Sequence, residues 1–102
     1  MKRVLSNKDV KPGDVVFRDW NDTPWKNRSE QHNYHLIITT ITKTGVFGVV
    51  VQSDSWGDDI KRQHIIRFSV TDGCKTYVED DPVKVLAFKL MLGRNADDDS
   101  NA

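Results

Sequence analysis

The residues with the most chemical potential crowd into one stretch after Trp20: Trp25, Lys26, Arg28, Glu30, His32 and His35. Single-stranded nucleic acid is held by bases stacking on aromatic faces and by cations that track phosphates. Trp25, Lys26 and Arg28 supply both kinds of group within one short run. RNA cleavage without a metal needs a base for the 2′-hydroxyl, an acid for the leaving oxygen and a cation for the charge on the phosphorane. Arg28, Glu30 and His35 are of the types that fill those roles.

Each of these residues also has a plainer reading. Trp20 and Trp25 serve equally as lids on a small core, and Lys26 and Arg28 as solvated loop cations. His35 adjoins Leu36 and Ile37 and suits a hydrogen-bonded histidine at a strand edge. His64 sits among apolar neighbours and reads as structural, and His32 as a loop residue. Trp56, an aromatic amid the acids of DSWGDD, is either an anchor for a protein partner or a ring folded back over the end of the domain. No metal is expected: the spacing of His32 and His35 suits a helix better than a loop entering a strand, and no third ligand is placed. No cofactor is expected either, since the chain has no phosphate-cradling glycine loop and no G-x-S-x-G elbow. Cys74 lacks an adjacent base and is not expected to act as a nucleophile.

The elements that position these groups are mostly β. Pro12-Gly13 marks a turn that feeds a strand at Val15–Phe17. The run Tyr34–Lys43 is rich in β-branched residues. Thr44-Gly45 turns it into Val46–Ser53, giving one hairpin. Gly48 inside the second arm points to a bulge or bend. A further strand is expected over Ile60–Val70, with Ile60, His64, Ile66, Phe68 and Val70 near one face. Asp72-Gly73 then turns the chain into a return strand at Lys75–Val78. Asp81-Pro82 is a helix start, because the carboxylate caps orphan amides and proline has none to waste. The helix is expected over Val83–Leu92, with Gly93 as its stop. It is apolar nearly all round. One stripe, Val83, Leu86, Ala87 and Leu90, is expected to cover the sheet; the other, Val85, Phe88 and Leu92, is left for a partner.

Composition narrows the classes. With 102 residues the chain fits one small domain, read as residues 1–93 followed by a disordered acidic tail at 94–102. Fifteen Lys and Arg balance fifteen Asp and Glu, which argues against a global field drawing the protein to DNA or lipid. A single cysteine rules out an intrachain disulfide and suits a reducing, cytoplasmic compartment. No stretch approaches a membrane span or a secretory signal. The fold class expected is mainly β (α+β): a small SH3-like β-barrel of about five strands with a C-terminal α-helix.

Gly13–Val16 (GDVV), then a polar loop holding Ser29–Gln31 (SEQ), then the apolar strand LIITT resembles the start of the MazF/PemK toxin family over the N-terminal third. The resemblance implies an SH3-like barrel, usually dimeric, that cuts single-stranded RNA without metal and is silenced by an antitoxin peptide. Carried onto this chain, it implies a catalytic group of Arg28, Glu30, His35 and Ser53. The chain departs from the family where His35-Leu36 stands in place of Arg-Pro and where Arg28 replaces the glycine before SEQ.

The leading expectation is a small intracellular interaction module without enzymatic activity, of the size of a phage or mobile-element regulator or inhibitor. Its binding residues would be Trp25, Lys26, Arg28 and Trp56, and its interface Val85, Phe88 and Leu92. A homodimer and a protein partner are both expected. The alternatives are a MazF/PemK-like endoribonuclease and a single-stranded nucleic-acid-binding protein.

Overall fold

The central hairpin organises the molecule. A computed structural model describes residues 1–20, 33–53 and 63–100, with helix side chains described up to Leu92. Strands β3 (Tyr34–Ile41) and β4 (Val46–Ser53) form the hairpin, and Thr42 closes its turn: the Thr42 amide donates to the Gly45 carbonyl at 2.9 Å, and the Gly45 amide returns to Thr42 Oγ1 at 3.2 Å. The register slips between Ile38 and Thr40, opposite Gly48 and Phe47, so the irregularity expected near Gly48 lies on the facing strand. Gly48 is required there for a steric reason. A Cβ on it would lie 2.2 Å from Leu36 Cδ1 and 3.0 Å from the Ile37 carbonyl oxygen.

Around this hairpin the chain adds β1 (Lys2–Val4), a short 3-10 turn (Asn7–Asp9), β2 (Val15–Asp19), β5 (Ile65–Phe68), β6 (Lys75–Val78) and helix α1 (Pro82–Ser100). The six strands make one antiparallel sheet in the order β1-β6-β2-β3-β4-β5. The mainly β fold with a C-terminal helix is therefore as expected, but the barrel does not close: β1 and β5 are the two ends of the sheet and do not pair with each other. The sheet curls nonetheless. Val4 from one end and Phe68 and Val70 from the other belong to the same buried cluster, with Val16, Leu36, Ile38, Val46 and Val50 between them. Asn7 bridges the open seam, its Oδ1 accepting the Val70 amide at 2.9 Å.

The opposite face of the sheet carries the helix. Val15, Ile37 and Val51 pack against Val85, Phe88 and Leu92. This reverses the expected orientation of α1. Val85, Phe88 and Leu92, read as the outward interface, face the sheet, while Val83, Leu86 and Leu90 are 76%, 59% and 59% exposed. The physical reason is the aromatic ring: Phe88 offers the largest apolar surface on the helix and finds a partner on the sheet in His35. The helix starts as expected, with Asp81 Oδ1 accepting the Val83 amide at 2.9 Å. Its backbone does not stop at Gly93 but continues to Ser100, through most of the segment expected to be a disordered tail.

Candidate functional site

His35 is the one sequence-predicted catalytic residue, with Ser53, whose surroundings are described. It stands on β3 between Phe17 of β2 and Gln52 of β4, its direct neighbours in the register. Strand alternation turns it away from the Tyr34–Leu36–Ile38 core and toward the helix face. Its imidazole is stacked on Phe88 with centroids 4.3 Å apart and planes at 20°, and lies 4.6 Å from Phe17 at 33°. Burial holds its pKa below the ordinary histidine value; Lys84 adds to this and Glu79 opposes it. The ring is thus a neutral imidazole near pH 7, able to take a proton but not to supply fixed positive charge.

Two recesses meet at this ring. One, of about 460 Å³, lies between α1 and the sheet and is walled by Phe17, Glu79, Lys84, Phe88 and Met91. The other, of about 260 Å³, is walled by Asn33 and Ser53. Phe17, His35 and Gln52 border both, so the two form one crevice along β3. Ser53 opposes Tyr34 in the hairpin and shares the smaller recess with His35. Arg28, Glu30, Trp25, Lys26 and Trp56 lie outside the described residues, so the rest of the expected group is not placed. Of the other histidines, His64 is exposed rather than among apolar neighbours, and His32 lies outside the described residues. A larger hollow, about 600 Å³, is lined by Lys2, Lys8, Lys11 and Val78.

Sequence reasoning overlooked two groups. The first is Arg18, only 1% exposed. Its Nε donates to Tyr34 Oη at 3.2 Å, Nη1 to Thr76 Oγ1 at 3.0 Å and to the Ser69 carbonyl at 3.4 Å, and Nη2 to Asp72 Oδ2. Its guanidinium also lies 4.2 Å from the Phe68 centroid. Burial works against this charge, but Tyr34 and Asp72 more than offset it, and the pKa is raised. All three guanidinium nitrogens donate into the fold, so Arg18 ties β2, β3 and β6 to the β5–β6 turn. The available signal was alternation: Arg18 follows Val16 by two and must share its inward face. The second is Glu79, which is 6% exposed and borders the crevice. No periodicity marks it, because it follows the last strand.

Cys74 is buried, and its thiol is pushed up to about 12, chiefly by desolvation, which leaves almost no thiolate near pH 7. Among the described residues no group of three or more His, Cys, Asp or Glu could hold a metal ion. Within the same residues no helix is long and apolar enough to cross a membrane. No protein-family model matches the chain, and no curated protein or solved structure matches it at a significant level.

Proposed function

We propose that this chain is a small interaction module that docks a protein partner, in the first instance a second copy of itself, through the outward stripe of α1. The observation that carries the reading is the exposure of Val83, Leu86 and Leu90 on a helix whose other side already covers the sheet. They recur along one side of the helix, the spacing of a helix-packing ridge. Water around three large aliphatic side chains is a standing cost that a facing helix removes, at about 25 cal/mol per Å² of apolar surface covered. Lys84 and Lys89 flank the stripe and keep it soluble when uncovered.

Sedimentation velocity across a concentration series tests this directly. The wild-type chain is expected to self-associate, and Leu86→Asp with Leu90→Asp is expected to shift it to monomer, with a melting curve unchanged from wild type at concentrations where the wild type is itself monomeric, since neither side chain supports the core. A wild-type chain that stays monomeric at the highest concentration removes the self-association reading.

A second reading, endoribonuclease activity of the MazF/PemK kind, draws support from the meeting of His35 and Ser53 in one recess. Incubation with unstructured RNA in EDTA decides it. Cleavage that is lost in His35→Ala supports it, and intact RNA after prolonged exposure to high protein removes it. RNA retained but uncut would point instead to single-stranded nucleic-acid binding.

A further inference from the structure

The crevice beside His35 holds an acidic group that the fold leaves incompletely matched. Glu79 follows β6, and its backbone amide is used by the sheet, donating to the Val15 carbonyl at 2.9 Å. Its side chain is more than nine-tenths buried. One carboxylate oxygen, Oε1, accepts the Asp81 amide at a long 3.3 Å. Among the described residues no cation lies within 4 Å of it: the Met1 ammonium is paired with Asp80 at 3.3 Å, and Arg18 with Asp72. On the same crevice, Met1 and Lys84 bring cations that do not reach it, and burial keeps the His35 imidazole neutral. A buried carboxylate is costly unless a cation or several donors complete it.

The space in front of this carboxylate is mostly apolar. Phe17, Phe88, Ala87 and Met91 form its walls, and its volume of about 460 Å³ falls in the range of small-molecule sites. Both faces of the His35 ring are already occupied by Phe17 and Phe88, so a ligand here meets the edges of these rings. Methionine adapts to such a body without imposing a shape.

We propose that this crevice binds a small hydrophobic ammonium compound, its apolar body against Phe17, Phe88 and Met91 and its cationic head on the Glu79 carboxylate. A charge-assisted hydrogen bond completes the acid, and the apolar walls are dried in the same event. The site is distinct from the outward stripe of α1, so it stands or falls apart from the docking reading. Lys84 opposes the ligand's charge from the same crevice.

Tryptamine and indole-3-propionate carry the same ring and opposite charge, which makes them a matched pair. Titrated into the isotope-labelled full chain, tryptamine is expected to shift the amide resonances of His35, Gln52 and Glu79 saturably. Indole-3-propionate is expected to bind at least about tenfold more weakly, the factor corresponding to one lost hydrogen bond to a charged group. Glu79→Gln preserves shape and is expected to erase the discrimination, and Lys84→Met to tighten tryptamine binding. The proposal is overturned if tryptamine gives no saturable shifts at millimolar concentration, if the two ligands bind equally, or if folded Glu79→Gln still discriminates. Should Glu79→Gln not fold, the wild-type comparison and Lys84→Met decide the matter alone.

Discussion

Replacing Arg18 by alanine removes more than a charge. The side chain supplies donors to Tyr34 Oη, Thr76 Oγ1, the Ser69 carbonyl and Asp72, and fills space against the Phe68 ring. Truncation strands two buried hydroxyls, leaves Asp72 without its cation and opens a cavity in a site that is 1% exposed. Breaking a buried ion pair from one side typically costs about 3–5 kcal/mol. Against a whole-domain stability of about 5–15 kcal/mol, that is about a fifth of the total or more. Asp72 is partly exposed, with 29% of its side-chain surface accessible, so Asp72→Asn is expected to cost less than Arg18→Ala. Arg18→Met restores much of the volume without the donors and is expected to fall between wild type and Arg18→Ala. Urea unfolding followed by circular dichroism gives each value, and the Arg18/Asp72 double-mutant cycle isolates their coupling. An Arg18→Ala variant within about 1 kcal/mol of wild type would refute the account of Arg18 as the tie between the strands, since one ordinary hydrogen bond alone is worth that much.

Gly48→Ala is expected to destabilise by about 1–3 kcal/mol, read from the same urea midpoints, because the new methyl collides with Leu36 and the Ile37 carbonyl cannot retreat without moving β3. Asp81→Ala removes the cap on the Val83 amide and should cost about 1 kcal/mol; no change would mean that the helix start is held by other contacts. The folded pKa of His35 lies below the ordinary histidine value of about 6.5, so the unfolded chain binds more protons just below that value. Stability should therefore be full above it and fall as pH drops through it toward the folded pKa, and His35→Gln should flatten that part of the profile. Cys74, with its thiol pushed up to about 12 and its side chain buried, should resist iodoacetamide in the native state and react on unfolding; rapid native labelling would contradict its placement.

What the sequence makes legible is what depends on short-range chemistry. The β3–β4 hairpin follows from β-branched runs about Thr44-Gly45, β6 from the Asp72-Gly73 turn, and the start of α1 from Asp81-Pro82. Each is decided by a few adjacent residues. The outcomes that escaped depend on distant partners. β1 is three residues long and two of them are basic, so only its pairing with β6 defines it. The direction of α1 could not be read because both of its stripes are apolar, and the choice between them is made by His35 on another element. The end of α1 escaped because a single glycine costs a helix only about 1 kcal/mol and does not compel it to stop. Of the candidate site, His35 and Ser53 were named through the family resemblance, and the hairpin register is what sets them beside one recess. Glu79 was not, because it follows the last strand and no periodicity marks it.

The position of β6 sets a schedule for the chain. It is the last strand made, yet it lies between β1, the first, and β2. β1 must therefore wait, with no strand to join, until Lys75–Val78 have been synthesised. The β2–β5 portion can assemble earlier, from neighbours close in the chain. On a ribosome this sheet would mature outward from its middle, and β1 would be among the last strands to gain protection from proteases and chaperones.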